Sequence, residues 1–156
     1  MSRREVTFLQ ENYYHIYNRV NNYQKIFLEA ENYLFFLKRL HYYFDPNRID
    51  VIAYCLMPNH YHVLIHLNTD IDVSNIMRSF TDSYVKSFNN WHRRVGHLFQ
   101  GDFQAKQIDQ DGYLPYLCAY IHLNPVKAKL VKSPDEWPIL ITKNGFYQIK
   151  RETPSK

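Results

Sequence analysis

Cysteine, glycine and long apolar runs are all scarce in this sequence of 156 residues. Two cysteines, Cys55 and Cys118, are too few for a disulfide-stapled secreted domain, so we expect two buried free thiols in a reducing cytosol. No apolar run approaches the roughly 20 residues that span a bilayer, and no apolar signal core follows Met1. We therefore expect a cytoplasmic protein without a membrane partner. No Gly-rich phosphate loop is present among the 4 glycines, which fits a reaction that needs no ATP.

Apolar and aromatic residues are plentiful. The chain is 46% hydrophobic and 17% aromatic, with 14 tyrosines, so it can fill the core of one domain. Aromatic rings pack cores by default, and they also stack on unpaired bases. The formal net charge of +4 permits a polyanionic partner without demonstrating one.

The residue pattern predicts an α+β domain with helices packed on a mainly antiparallel sheet. Strands are predicted at residues 13–20, 49–57, 60–67 and 98–108, with a further short strand at 145–149. A helix is predicted over 29–44 and another over 112–123. Between them, Asp72 or Ser74 should cap a long helix. Its expected buried stripe comprises Ile76, Phe80, Tyr84, Phe88 and Trp91.

Two histidines occupy alternate positions of the third predicted strand, within Met57-Pro58-Asn59-His60-Tyr61-His62-Val63-Leu64-Ile65. Successive side chains of a strand point to opposite faces, so His60 and His62 share a face. Two imidazoles at neighbouring positions of one face can hold a divalent ion. Histidines on strands also serve as ordinary hydrogen-bonding residues, and the triplet alone leaves that alternative open.

A second informative stretch is Tyr120-Ile121-His122-Leu123-Asn124-Pro125-Val126. Residues four apart on a helix lie about 40° apart around its axis, so Tyr120 and Asn124 face the same way while His122 points away. A phenol and an amide oxygen can then approach one metal together. Asn124 is also a natural cap for a short helix that starts at Pro125, and Tyr120 is by default a core residue, so these alternatives stay open.

Four blocks follow one another along the chain. They are Tyr14-His15-Ile16-Tyr17-Asn18-Arg19, Met57-Pro58-Asn59-His60-Tyr61-His62-Val63-Leu64-Ile65, Gly96-His97-Leu98-Phe99-Gln100-Gly101 and Tyr120-Ile121-His122-Leu123-Asn124-Pro125-Val126. In this order they resemble the HUH single-tyrosine transposases, and among these the REP-associated tyrosine transposases and their insertion-sequence relatives. The resemblance covers about residues 13–131 of a single domain, 1–156, and leaves a C-terminal tail of about 132–156.

The resemblance implies a ferredoxin-like or RRM-like sheet in a domain that cuts and rejoins single-stranded DNA, as a transposase or a domesticated descendant. It implies that His60 and His62 bind Mg²⁺ or Mn²⁺, that Asn124 completes the ligand set, and that Tyr120 is the nucleophile. A divalent ion beside the phosphate would orient it and neutralise the leaving oxygen. Attack by Tyr120 would leave a 5′-phosphotyrosine and a free 3′-hydroxyl.

The implied partner is a DNA hairpin next to a short single-stranded tag, bound by a monomer or a homodimer. Basic side chains supply salt-dependent affinity for phosphates and little sequence choice. The candidates for these contacts are Arg3, Arg4, Arg19, Lys86, Arg93, Arg94 and Lys106, with Lys127 and Lys129 after the tyrosine.

The chain departs from the family pattern at several positions. Val20 and Tyr23 replace a common Gly and a basic residue, Asp102 replaces a basic residue, and Lys129 replaces a frequent Gly. A Trp-Ser-Ser-Tyr string near the end is also missing, with residues 137–140 in its place. These departures bear on DNA contacts and on the C-terminal fold, and leave the proposed metal and nucleophile set untouched.

Two other functions compete with a transposase. One is a non-catalytic RRM-like module whose aromatic residues stack bases and whose histidines are structural. The other is a metal-dependent nuclease in which water, not Tyr120, attacks the phosphate. A covalent protein–DNA adduct is expected of the transposase alone.

Overall fold

A computed structural model of the chain describes residues 6–20, 24–108, 113–133, 136 and 140–142. The elements in chain order are β1 (Tyr13–Arg19), α1 (Ala30–Tyr43), β2 (Ile49–Met57), β3 (His60–Leu67), α2 (Val73–Trp91), β4 (Gln104–Ile108), α3 (Tyr113–His122), α4 (Asn124–Lys127) and β5 (Leu140–Thr142). The first six elements form a βαββαβ unit, the ferredoxin-like arrangement. The predicted α+β class and ferredoxin-like or RRM-like architecture are confirmed.

The five strands form one antiparallel sheet in the order β4-β1-β3-β2-β5. β1 and β3 pair in the centre, with Tyr17 opposite His62 and Arg19 opposite His60. On the other side of β3, Cys55 of β2 lies opposite His62. Residues directly opposite each other in an antiparallel pair share a face, so this register fixes which side chains surround the histidines.

Helices α1 and α2 cover one face of the sheet and pack against it through aromatic side chains. The ring of Tyr61 on β3 lies 5.1 Å from that of Phe36 on α1. Phe36 in turn makes edge contacts with Phe80 and Tyr84 of α2. Tyr84 also donates its hydroxyl hydrogen to the backbone oxygen of Ile26. Because Tyr61 points to this face, His60 and His62 point to the other one.

The predicted hairpin is confirmed with the same bounds, since β2 ends at Met57 and β3 starts at His60. The fourth strand is shorter than predicted and begins only at Gln104. The residues before it do contribute apolar side chains to the core, including Leu98, Phe99 and Phe103. Their backbone touches the sheet at a single bridge, between Phe99 and Val20. Burial without strand pairing explains why the sequence pattern extended this strand too far.

α2 begins as predicted, because the carboxylate of Asp72 accepts a hydrogen bond from the backbone N–H of Asn75 at 3.0 Å. Its buried stripe differs at both ends from the prediction. Val73 and Met77 are buried, whereas Ile76 is only partly buried and Trp91 is 46% exposed. The buried stripe therefore begins at Val73, about one helical turn before the predicted start at Ile76, and continues at spacings of three and four residues.

The end of the chain also differs from the prediction. A strand, β5, pairs with β2 at residues 140–142, in a stretch that the sequence indicated was loop. The strand predicted at 145–149 lies outside the described residues. Both cysteines are free, as expected, but only Cys55 is buried, and Cys118 is partly exposed. Within the described ranges, no helix has the length and apolarity needed to cross a membrane.

Candidate active site

His60 and His62 converge on the face of the sheet that α1 and α2 leave uncovered, here called the histidine face and defined by His15, Tyr17, Arg19, His60 and His62. Positions two apart on a strand are separated by roughly 6.7 Å along its axis. The two ring centroids lie only 5.1 Å apart, with the ring planes at 88°. The rings therefore lean toward each other, as side chains that share one ligand would.

His60 is held by the turn that precedes β3. Its Nδ1 lies 2.7 Å from Oδ1 of Asn59. An amide oxygen can only accept, so Nδ1 carries the hydrogen and Nε2 of the neutral ring keeps its lone pair. The turn itself is anchored by two backbone hydrogen bonds. The N–H of Val20 donates to the carbonyl oxygen of Asn59, and the N–H of Ile26 donates to the carbonyl oxygen of Pro58. This leaves Nε2 of His60 as the nitrogen available to a ligand.

A third histidine, His15 on β1, is joined to the pair. Its Nε2 lies 2.9 Å from Nδ1 of His62, and its ring stacks on that of His62 at 5.1 Å. Tyr17 lies against His15 with ring centroids 5.0 Å apart. From the sequence, His15 was predicted only as part of a block of the family pattern, with no role of its own. Alternation along β1 puts His15, Tyr17 and Arg19 on one face, and this signal was available in the sequence.

Burial keeps these histidines neutral. Burial and, to a smaller extent, the nearby charge of Lys106 together lower the pKa of His15 to about 4. Burial together with the neighbouring His15 and His60 lowers the pKa of His62 to about 3. The pKa of His60 is also lowered, first by burial and then by Arg19. Neutral imidazoles are the form that binds metal ions, so the site needs no deprotonation at pH 7.

Tyr120 and Asn124 lie where α3 meets α4. Asn124 was predicted to cap the second helix, and this is wrong: Leu123 is the cap residue and Asn124 is the first residue of α4. Its Nδ2 instead donates back to the carbonyl oxygens of Tyr120 at 3.3 Å and Ile121 at 3.1 Å. These bonds occupy the amide nitrogen and leave Oδ1, the atom with which an amide binds a metal, outside them.

α3 supports Tyr120 from the histidine-face side of the sheet. α3 and α4 both contact β2, and the β2 residues on that face, Ala53, Cys55 and Met57, are buried. Leu117 and Ile121, four apart on α3, are buried, whereas Tyr120 is 42% exposed. A tyrosine that is 42% exposed beside a buried stripe is a surface residue of α3 and not a core residue.

A cation lies directly over the ring of Tyr120. The Nζ atom of Lys127 is 4.2 Å from the centroid of this ring. Lys127 was predicted only as a candidate phosphate contact, because the bend between α3 and α4 that brings it back to Tyr120 is not visible in the sequence pattern. In the described part of the chain, ring contacts join His15, His60 and His62 to one another, and none joins them to Tyr120.

The basic residues predicted to contact DNA are distributed over several surfaces. Arg19 and Lys106 belong to the histidine-face side, opposite His60 and His15 in register. Lys86 is exposed on α2, on the other side of the sheet. Arg93 is exposed after α2, whereas Arg94 donates to Asn89 at 2.7 Å and to the His97 oxygen at 3.2 Å. Arg3 and Arg4 lie outside the described residues.

The donor set was compared with the needs of a divalent ion. In the described ranges, no three His, Cys, Asp or Glu side chains are grouped so that they could hold a metal. A metal at His60 and His62 would therefore need a further ligand of another kind, such as an amide oxygen. At the zinc–imidazole distance of about 2.1 Å, two rings on one ion have centroids about 5 Å apart. The observed 5.1 Å fits that requirement.

Comparison with known proteins assigns the chain to a family. Residues 9–124 match the model of the family described as "Transposase IS200 like". The chain belongs to the IS200-like transposase family. The match begins before β1 and ends at Asn124, so it includes every proposed metal ligand and Tyr120. A curated relative from Haemophilus influenzae, named as a REP-associated tyrosine transposase, is 28% identical over 99 residues. That alignment covers 57% of this chain and 56% of the relative.

Solved structures give the same fold for this IS200-like chain. The structure titled as a REP-associated tyrosine transposase bound to a REP hairpin matches with a TM-score of 0.73 at 21% identity. It covers 90% of this chain and 82% of the other. A transposase from Deinococcus radiodurans matches with a TM-score of 0.50 at 12% identity, over 78% of this chain and 95% of the other. At these identities the likeness shows the fold alone.

Proposed function

We propose that this chain cuts and rejoins single-stranded DNA next to a hairpin through a covalent 5′-phosphotyrosine at Tyr120. His60, His62 and Asn124 would hold a divalent ion, Mg²⁺ or Mn²⁺. The observation that carries the proposal is the convergence of two neutral histidines on the face of the sheet opposite α1 and α2. Their ring centroids are 5.1 Å apart, and the Nδ1 atom of each already has a hydrogen-bond partner.

Hairpin DNA is proposed as the substrate from likeness and from charge. The structural relative with a TM-score of 0.73 is titled as bound to a REP hairpin. On this chain, Arg19 and Lys106 flank the histidines in register, where they would contact phosphates beside the scissile bond. Tyr17 offers an aromatic ring on the same face, suited to stack an unpaired base.

The reaction follows from the nucleophile and its surroundings. The Oη atom of Tyr120 forms a bond to the phosphorus while the bond from phosphorus to the 3′-oxygen breaks. The phenol proton passes to water, and the departing 3′-oxygen takes up a proton. The bound ion would supply charge neutralisation at the phosphate. Because the new bond conserves a phosphodiester, a second 3′-hydroxyl can reverse the step without ATP.

The test is the formation of a covalent adduct. The chain is incubated with a labelled library of hairpin-bearing single strands and Mn²⁺, then run on a denaturing gel. We expect a labelled protein band from wild type, none from Tyr120→Phe, and none from His62→Ala, whose affinity for DNA should stay within a fewfold of wild type.

Other outcomes discriminate the competing functions. Cleaved DNA without any adduct, unaffected by Tyr120→Phe, would indicate a nuclease that uses water. Hairpin binding without cleavage by a folded wild type would indicate a binding module. An adduct that survives Tyr120→Phe would keep the mechanism and reject Tyr120 as the nucleophile.

A further inference from the structure

His15 is the most buried polar partner of the proposed metal ligands. Its side chain lies on β1 with 8% of the residue exposed, and its Nε2 is 2.9 Å from Nδ1 of His62. At that distance one ring must donate a hydrogen and the other must accept it. The direction of this single hydrogen bond decides which nitrogen of His62 is free.

The two directions have opposite consequences for a ligand. If His62 donates from Nδ1, its Nε2 keeps a lone pair that can bind an ion. If His15 donates from Nε2, the neutral His62 ring carries its hydrogen on Nε2 and has no lone pair there. His60 already carries its hydrogen on Nδ1, because the amide oxygen of Asn59 accepts it, and Nε2 of His60 keeps a lone pair. A shared ion needs the same form from His62.

We propose that His15 is a positioning residue that accepts the Nδ1 hydrogen of His62 and thereby presents Nε2 of His62 as a metal ligand. His15 then carries its own hydrogen on Nδ1. This inference rests on the proposed function, because it assigns His62 a metal to bind. Outer partners of this kind orient ligating histidines, and their loss lowers metal affinity by about 10- to 100-fold.

The surroundings of His15 suit this role. Tyr17 at 5.0 Å and His62 at 5.1 Å lie against its ring and restrict its rotation. Burial restricts competition from water for the hydrogen bond. Asn59, the equivalent partner of His60, is exposed and lies in a turn. His62 therefore depends on one internal acceptor, whereas water can substitute for the acceptor of His60.

The first measurement reads the hydrogen positions directly, without metal. Nitrogen-15 NMR of histidine-labelled protein with chelator present distinguishes Nδ1–H from Nε2–H rings. We expect His62 as the Nδ1–H form in wild type and a mixture in His15→Leu, with His15→Gln restoring the wild-type form through its amide oxygen. His60, whose Nδ1 lies 2.7 Å from Oδ1 of Asn59, is the internal reference for the Nδ1–H form. A wild-type His62 that carries hydrogen on Nε2 would overturn the inference.

The second measurement is Mn²⁺ affinity, by titration of the free-ion electron paramagnetic resonance signal. His15→Leu should bind about 10- to 100-fold more weakly than wild type, with His15→Gln close to wild type. The matched control is His66→Leu, which removes an imidazole from the same strand and should leave affinity unchanged. Wild-type affinity in a folded His15→Leu would reject the role of His15. If His62→Ala also binds Mn²⁺ with wild-type affinity, His62 is not a metal ligand and the proposed metal site is rejected. The NMR result would then still test the direction of the hydrogen bond between His15 and His62.

Discussion

His60 and His62 are held in different ways although both rings belong to one face of β3. The Nδ1 atom of His60 meets an exposed amide in a turn, and that of His62 meets a buried imidazole on the neighbouring strand. Tyr120 has a third kind of partner, the ammonium group of Lys127 at 4.2 Å from its ring centroid. Each of these three proposed site residues thus has a different polar or charged neighbour, and each neighbour can be removed separately.

The Lys127 contact leads to a kinetic prediction. The ammonium group over the ring stabilises a developing phenolate more than the neutral phenol. If this difference equals the about 0.5 to 1 kcal/mol of an exposed cation–π contact, Lys127→Gln should slow adduct formation about two- to fivefold at saturating DNA. The measurement is a single-turnover time course on a denaturing gel. Lys129→Gln is the matched control, because it removes the same charge two residues away without touching the ring. Equal slowing by both variants would attribute the effect to DNA charge and not to the ring contact.

At the scale of elements, the bend between α3 and α4 couples the proposed nucleophile to a proposed ligand. Asn124 donates two hydrogen bonds to carbonyl oxygens in the last turn of α3, one of them that of Tyr120 itself. The next residue, Pro125, is buried and cannot continue the hydrogen bonding of α3. The side chain of Asn124 therefore both ends the helix and carries the amide oxygen.

Two substitutions at Asn124 separate these roles. Asn124→Ala should lose both, with about 1 kcal/mol lower unfolding free energy and weaker Mn²⁺ binding. Asn124→Asp keeps an oxygen ligand but faces two carbonyl oxygens, so it should lose stability while retaining Mn²⁺ affinity. Urea unfolding and Mn²⁺ titration measure the two effects. Unchanged Mn²⁺ affinity in Asn124→Ala would remove Asn124 from the ligand set.

At the scale of the whole molecule, the sheet separates two environments. Aromatic side chains of α1 and α2 fill one face, whereas the other face holds His15, His60 and His62 beside the buried Ala53, Cys55 and Met57 of β2. The histidines of this face are neutral, and adding a proton to either His15 or His62 would destabilise the folded state. Folding stability should therefore depend on pH.

The sign of that dependence follows from the lowered pKa values. His15 and His62 titrate near about 6.5 when unfolded, whereas in the folded chain the pKa values are about 4 and about 3. At pH values between about 3 and about 6.5, the unfolded chain binds more protons than the folded chain. The stability contributed by the neutral histidines is therefore fully present above about pH 6.5 and is lost as pH falls. Urea midpoints measured with chelator should fall from pH 7 to pH 5. A His15→Gln, His62→Gln double variant should show a shallower fall, and a flat wild-type profile would contradict the prediction.

The sequence determined the local helices and strands, and it determined which candidate site residues lie side by side within one element. Alternation put His60 and His62 on one face, and helical spacing put Asn124 beside Tyr120, because both patterns act over two to four residues. The hairpin bounds were predicted correctly for the same reason. The segment at residues 98–103 was not, because its apolar residues are buried in the core without pairing as a strand.

Only the tertiary structure decided which elements meet around the histidines. His15 reaches His62 through the register of β1 against β3, across 47 positions in the chain. Lys127 reaches Tyr120 through the bend at Leu123, and β5 reaches β2 across a stretch without a clear strand pattern. These contacts depend on strand register and chain reversal, which are set by the packing of the whole sheet and not by neighbouring residues.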